Sequence, residues 1–406
     1  MASDEAAYKP DKELIQKVLR EYENDANLEV KSVVTSPGCE KGVNYMSVIK
    51  RLVVTGTTGA GFDYNKSFIS KHLAANEIHQ EVFQSQNFFV NEARMYQTVP
   101  MLLGKDQKIL PDCLFTNVKQ IILEDLKPLG FFLEDRVKGL DFDHTKIVLE
   151  GLADLHAASF ILEHNDAENF NRMKTNFVEA YFPDTDPPGV GKNMNDFPNF
   201  IVLCLKVAAT SEDDYSKEIA FMEEYQGKIY DLMKELVKPR EYSVVCHGDL
   251  WINNILFKHE EVKGKTVVSG MRFLDFQVVR FGPLVTDLQG FLHSSVQHEV
   301  LVEYYDTFLE IYYMKLRSKL SELRTNAYEK ITLDWLKCEM QRSQIYGMMV
   351  SLWLAPALLA NLEDIPDKSA IAMHTAETTA AVDYWKQRLS PRLLQRIVDK
   401  CKYFIK

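Results

Sequence analysis

The sequence predicts an α+β fold in two unequal parts, a small β-rich one over residues 1–126 and a larger α-rich one over 127–406. Three observations carry this expectation. β-branched and aromatic runs punctuated by Gly, Asn and Asp crowd the first third of the chain. After Gly130 the apolar residues recur chiefly at helical spacing. Near the middle, two apolar β-rich runs enclose a polar island, "CHGDLWINN", at 246–254. At 406 residues the chain is too long for one small core.

Element by element, "YMSVIKRLVVTG" (45–56) is rich in β-branched residues and ends at glycine, which predicts a strand. "GTTGAGFDYN" reads as a loop. "KSFISKHL" reads as a second strand, with Phe68 and Ser70 on one face and Ile69 and Lys71 on the other. Over 81–99, Val82, Phe89 and Tyr96 recur every seven residues beside Phe83 and Val90, the period of an amphipathic helix. "KQIILEDL" (119–126) is a compact apolar strand running into two acids and then the turn "KPLG".

Beyond Gly130, Leu149, Leu152, Leu155, Ala158 and Leu162 share one helical stripe in "HTKIVLEGLADLHAASFILEH". The proline- and glycine-rich 181–198 predicts a long irregular connection. Further helices are expected at 211–237, 297–325, 333–361 and 368–388. Residues 343–362 carry no charge, but Gln344, Ser351, Pro356 and Asn361 interrupt them and no cations flank both ends. They are expected to form a buried, Pro-kinked core helix rather than a membrane span.

Composition narrows the function. A formal net charge of -11 argues against a broad nucleic-acid or anionic-membrane surface. Neither nucleic acid nor membrane is expected as a partner, and no obligate protein partner is inferred. Cys39, Cys113, Cys204, Cys246, Cys338 and Cys401 are scattered without a C-x-x-C pair, which favours a reducing compartment over a disulfide framework. The charged N-terminus "MASDEAAYKPDKEL" does not read as a secretory leader. A cytoplasmic location is the expectation.

The chemistry is concentrated at 242–289. "YSVV" leads into "CHGDLWINN", then "ILFK", the hydrophilic "HEEVKGK" and "TVVSGMRFLDFQ". Two apolar runs about a Gly- and Lys-containing turn predict a hairpin, which would bring Asp275 beside Asn254. Asp249 lies five positions before Asn254. Two acids and an amide oxygen suit phosphoryl transfer from ATP. An aspartate can orient the acceptor hydroxyl and take its proton, and oxygen ligands suit Mg2+, a hard cation. His247, Asp249 and Asn254 match the spacing H-x-D-x-x-x-x-N, and Asp275 and Phe276 match D-F-x.

"HGDLWINN", followed by "FLDFQ" and "FGPLVTDL", closely resembles the ecdysteroid kinase-like family, small-molecule kinases related to choline kinases and aminoglycoside phosphotransferases. The resemblance extends over most of the chain. "KGVNYMSVIKRLVV" looks like the family's first hairpin, "FISK" its lysine strand, "NEARMY" its helix C, "ILEDL" its hinge, "LADLHAAS" its large-lobe helix and "TDL" the aspartate beyond the metal loop. It implies a protein-kinase-like two-lobe fold with a nucleotide-binding N-lobe and a catalytic, substrate-binding C-lobe. It also implies Asp249 as catalytic base and Asn254 and Asp275 as magnesium ligands. Lys71 would hold the α- and β-phosphates with Glu92 as its ion-pair partner, and Glu124, Asp125 and Leu126 would offer hinge backbone to adenine. His247 and Asp287 would support the site. ATP and Mg2+ are the implied cofactors and a small hydroxylated molecule the implied partner, either an ecdysteroid or other sterol, or a phenolic or glycosidic xenobiotic in detoxification.

Two departures from kinase patterns stand out. "SPGCEKGVNY" offers only Gly38 and Gly42 in place of a G-x-G-x-x-G loop, and no A-P-E follows Asp275, which disfavours a protein substrate. Blander readings compete at each position. Asp249, Asn254 and Asp275 are also turn formers, Lys66 rivals Lys71, and Glu77 and Glu81 rival Glu92. His156 reads as a core histidine. The pairs Phe88-Phe89, Phe131-Phe132, Tyr304-Tyr305 and Tyr312-Tyr313 read as core, although the last two pairs could line a pocket. A catalytically silent kinase-like binding protein and a choline- or aminoglycoside-type kinase are the alternative functions.

Overall fold

The computed structural model describes residues 10–38, 47–73, 85–104, 106–183, 190–359, 386 and 389–405. The chain forms two compact units, each assembled from three stretches: 1–133, 162–180 and 254–280 in the first, and 134–161, 181–253 and 281–406 in the second.

The first unit is built on a five-stranded antiparallel sheet of β1 (Glu29–Pro37), β2 (Ser47–Thr57), β3 (Asp63–Leu73), β4 (Cys113–Thr116) and β5 (Gln120–Glu124), in the order β1-β2-β3-β5-β4. Helix α1 (Lys12–Tyr22) begins at Asp11, whose carboxylate accepts the N–H groups of Glu13 and Leu14. Its apolar Ile15 and Leu19 join Leu28, Val30, Leu52, Val54, Tyr64, Phe68 and Ile122 in one core. The expected loop between β2 and β3 is shorter than its composition suggests. The reversal occupies 58–62, closed by Thr58 and Phe62, and β3 already starts at Asp63. Helix α2 (Ser85–Leu102) covers the described part of the helix expected over 81–99.

Three further strands, β6 (Phe131–Phe132), β7 (Ile255–Val262) and β8 (Lys265–Phe273), make a second antiparallel sheet in that order. The predicted hairpin is the β7–β8 pair. It turns through Lys263 and Gly264, both at positive φ (53° and 75°), as a two-residue hairpin loop requires.

The second unit is helical. It contains α3 (Phe142–Asn165, as far as residue 161), α4 (Val190–Ala208), α5 (Ser216–Glu224), α6 (Ile229–Val237), α7 (Val285–Ser295), α8 (His298–Ser321), α9 (Leu333–Arg342), α10 (Gln344–Leu359) and α11 (Pro391–Phe404). Ile201, Leu205, Met222, Leu352, Ala355, Ile397 and Cys401 lie in its core, and every residue of α7 is buried. The sheet-rich first unit and helical second unit make the chain α+β, as the sequence predicts.

In the helical part, three expectations change. Residues 190–198 are helical, not irregular, and Pro198 lies inside α4. A Pro costs a helix one backbone hydrogen bond, yet the downstream Phe200, Ile201, Val202, Cys204 and Leu205 are all buried. Asn195 adds support by accepting the Tyr230 and Gly227 N–H groups. The helix expected at 211–237 is two, broken at Gly227 (φ 72°). The helix expected at 333–361 is also two, separated at Ser343.

Helix α10 contains Pro356, and among the described residues no helix is long and apolar enough to cross a membrane. The expected helix at 368–388 lies outside the described residues except for 386, as do Gly42 of the proposed phosphate-covering loop, the rival acids Glu77 and Glu81, and Cys39.

Candidate active site

In the first unit the chemistry begins on β3. Lys71 pairs in register with Ile49 on β2 and Ile121 on β5, so it sits in the middle of the sheet. Its ammonium lies 2.5 Å from Glu92 Oε2 on α2 and 2.6 Å from Asp275 Oδ1 just beyond β8. Lys71 and Glu92 are almost fully buried, whereas Asp275 is 22% exposed, the only member of the trio open to incoming chemistry. Burial would push the Lys71 ammonium down, but Asp275 and Glu92 outweigh it and hold it above its ordinary value. Burial pushes the Glu92 carboxyl up even with Lys71 beside it. One cation against two carboxylates leaves a formal deficit of positive charge. Lys66, the rival lysine, is half exposed and pairs with Glu23.

Asp275 adopts φ 64°, ψ 66°, a left-handed conformation rare outside glycine, at the entry of a short 3-10 turn over Phe276–Val278. Phe276 is fully buried and meets Tyr96 of α2 edge-on, with centroids 6.4 Å apart. The hairpin register explains why Asn254 is near. Ile255 opposes Phe273, so Asn254 faces Leu274, whose N–H donates to the Asn254 carbonyl at 2.8 Å. Asn254 and Asp275 therefore share one end of the hairpin. The amide of Asn254 and the carboxylate of Asp275 offer oxygen donors of the kind a hard divalent cation takes.

At the end of β5, Asp125 accepts bonds from Arg51 Nε and Ser67 Oγ, both at 2.7 Å, and from the Lys127 N–H. Burial would raise its carboxyl, but these donors bring it below its usual range. The Glu124 N–H donates to the Asp112 carbonyl, and the Leu126 carbonyl accepts from Leu129 and Phe131. Burial pushes the Glu124 carboxyl up, with Asp112 adding to the shift.

In the second unit, "CHGD" follows the buried strand Ser243–Cys246. Asp287, in the first turn of α7, accepts the backbone N–H of His247 at 2.6 Å and of Gly248 at 2.9 Å. Its carboxylate is also 3.2 Å from His156 Nε2, and His156 Nδ1 is 2.7 Å from the Tyr312 hydroxyl. Burial would raise the Asp287 carboxyl, but the hydrogen bond and charge of His156, together with His247 and the Gly248 N–H, hold it below its usual value. Gly248 has φ 82°, which a side chain would strain. The Asp249 N–H reaches back to His247 Nδ1 at 3.4 Å. Asp249 is half-exposed between buried Gly248-flanking His247 and Leu250. Tyr312 is thus fully buried core, while Phe132 of the second aromatic pair is exposed.

The sequence reading passed over Asn91 and Arg94, which flank Glu92 on α2. Fully buried Asn91 donates to the Val178 carbonyl at 2.7 Å and accepts the Val178 N–H at 2.9 Å. Arg94 donates to the Asn176 carbonyl at 2.8 Å. A buried Asn in an apolar helical stripe was the available signal, because such a group requires partners.

The model of the ecdysteroid kinase-like family matches residues 41–325. Among solved structures, an ethanolamine kinase from Plasmodium vivax is similar at 14% identity and TM-score 0.39, over 97% of this chain and 89% of that one. A macrolide 2'-phosphotransferase from Brachybacterium faecium is similar at 13% identity and TM-score 0.35, over 93% and 98%. An ADP-bound aminoglycoside phosphotransferase is similar at 11% identity and TM-score 0.34, over 94% and 98%. No curated protein matches the sequence.

Proposed function

Because the chain belongs to the ecdysteroid kinase-like family, a family of kinase-like small-molecule kinases, we propose that it transfers the γ-phosphoryl group of ATP to a hydroxyl of a small lipophilic acceptor. The acceptor class is an ecdysteroid or other sterol, or a phenolic or glycosidic xenobiotic. The observation that carries the reading is the buried Lys71 ammonium bonded to both Glu92 and Asp275. A lysine so held cannot swing away, and it presents fixed positive charge where phosphate oxygens would sit.

In this reading Glu92 orients Lys71, and Lys71 holds the α- and β-phosphates. Asn254 and Asp275 would hold Mg2+, which when bound neutralises phosphate charge. The backbone of Glu124 to Leu126 receives adenine. Asp249 orients the acceptor hydroxyl and takes its proton as the new oxygen–phosphorus bond forms and the bond to the departing ADP breaks. His247 and Asp287 fix the backbone from which Asp249 projects.

The test is product formation from Mg-ATP with hydroxylated steroids, phenols and glycosides, run beside choline and kanamycin-like amines. Asp249→Asn should lower kcat on the best acceptor by about 10²–10⁴ while leaving thermal stability nearly unchanged. Equal turnover by variant and parent would remove Asp249 from the mechanism. Phosphorylation of the amines' hydroxyls alone would move the chain to the choline or aminoglycoside class.

A further inference from the structure

Away from the residues assigned above, the second unit buries a group of nitrogen-bearing side chains. Arg396, Lys400 and Tyr403 follow one another along one face of α11 at spacings of four and three. Opposite them lie His293 near the end of α7 and His298, the first residue of α8. The Arg396 guanidinium donates to the Ser294 carbonyl at 3.2 Å, which fixes α11 against the α7–α8 junction. The His293 ring lies 5.5 Å from Tyr403 and 4.6 Å from Phe404, and the His298 ring 6.0 Å from Tyr403.

Lys400 is 1% exposed, and among the described residues its Nζ has no hydrogen-bond partner. His293 Nδ1 and His298 Nδ1 are unpaired in the same sense. A buried ammonium without a partner costs several kcal/mol, so this is not a site that packing alone explains. The acids nearby do not answer it. Asp399 bonds Gln395 instead, and Glu299 is exposed. Nor is the start of α8 capped by a side chain, since Gln297 donates its amide to the Gly139 carbonyl. A 24-residue helix therefore begins beside α11 with no capping bond from the side chain of its N-cap residue, Gln297.

The geometry points to an oxyanion-binding site, with Lys400 and His293 as its floor, half-exposed Arg396 and His298 as its mouth and the first turn of α8 as a backbone donor. Its ligand is a compact anion bearing a phosphate or carboxylate group, which would accept from the ammonium, the guanidinium, an imidazole N–H and helix N–H groups together. The electrostatics agree. Burial, with Arg396 adding and Asp399 opposing, pushes the Lys400 ammonium down to about 7. Burial and Lys400 likewise lower both imidazoles.

The experiment is calorimetric titration of the full chain in an amine buffer with inorganic phosphate and, separately, with acetate. Saturable binding of either is expected, and which anion binds more tightly assigns the ligand class. Lys400→Met should abolish that binding, and Arg396→Ala, at the half-exposed mouth, should weaken it at least tenfold. Lys71→Met, which alters the proposed nucleotide site, should leave one phosphate site intact. No binding of either anion to the parent chain overturns the proposal. So does an Arg396→Ala chain that keeps the parent's full number of anion sites at unchanged affinity, or loss of all binding in Lys71→Met with no loss in Lys400→Met. Should Lys400→Met fail to fold, the Arg396→Ala titration decides.

Discussion

The two units hold their polar residues in opposite ways. In the first, charges are held by charges: the Lys71 ammonium pairs with both Glu92 and Asp275, and no neutral group intervenes in either ion pair. In the second, a charge holds backbone: Asp287 fixes two consecutive N–H groups of the "CHGD" loop and is itself fixed by His156, which Tyr312 backs. The difference follows from what each must present. On the proposed function, side chains that would meet phosphate and metal have to remain charged and oriented, so a buried counter-charge would serve them. On the same reading, a residue that would take a proton from the acceptor has to project from a loop of fixed shape, and a network of backbone bonds would serve that need.

The comparison breaks most visibly at Lys71. Lys71→Met should lower kcat by about 10²–10³ and, by leaving two carboxylates without their cation, destabilise the fold by about 3–5 kcal/mol. The double variant Lys71→Met, Glu92→Leu removes the stranded charge, so it should recover much of that stability and none of the turnover. Urea unfolding and steady-state kinetics on the same samples measure both. Additive losses of stability would mean that the pair does not act as a unit.

How far the sequence foresaw this arrangement depends on distance along the chain. The β7–β8 hairpin was legible because its turn and its apolar runs are contiguous. The same was true of the β3 strand around Phe68, although its alternation breaks at Ser70 and Lys71, both buried. The choice of Lys71 over Lys66 was not decided by local pattern, because what separates them is a partner 204 positions away. The sequence reading also passed over α1 and β1. Helix α1 carried its own signals, with Asp11 as cap and Ile15, Val18 and Leu19 on one face. By contrast, β1 is exposed at most positions and shows no alternation to detect. Residues 190–198 misled for a different reason. Pro198 and Gly191 are genuine breakers, and the tertiary burial that overrides them comes from residues downstream.

A second break lies in the loop's brace. Asp287→Asn keeps the shape but offers one acceptor oxygen where two N–H groups and an imidazole converge. It should cost about 2–4 kcal/mol, since a buried N–H is left facing an amide NH2. The pH dependence gives a separate signature. The Asp287 carboxyl is depressed in the folded protein. Its contribution is therefore present in full above the unfolded value of about 3.9 and is lost as pH falls through the lower folded value. Between pH 7 and 5 the parent should thus keep this stabilisation, while below about 4 its advantage over Asp287→Asn should shrink toward zero. A stability difference constant down to pH 2 would show that Asp287 acts through shape and not through charge.

The smallest effect tests whether the brace extends beyond its carboxylate. The Tyr312 hydroxyl is hydrogen-bonded to His156 Nδ1 while His156 Nε2 faces Asp287, and Tyr312→Phe removes that partner inside a fully buried site. The expected cost is about 1 kcal/mol, the net worth of one hydrogen bond. The ring contact between His156 and Tyr312, at 5.8 Å and 74°, survives the change. Turnover should fall less than about threefold, because the Asp287 bonds to His247 and Gly248 remain. If the variant instead matched Asp287→Asn in both stability and kcat, the tyrosine would be the keystone of the loop. The contrast between charge held by charge and backbone held by charge would then have to include a neutral hydroxyl as an equal member.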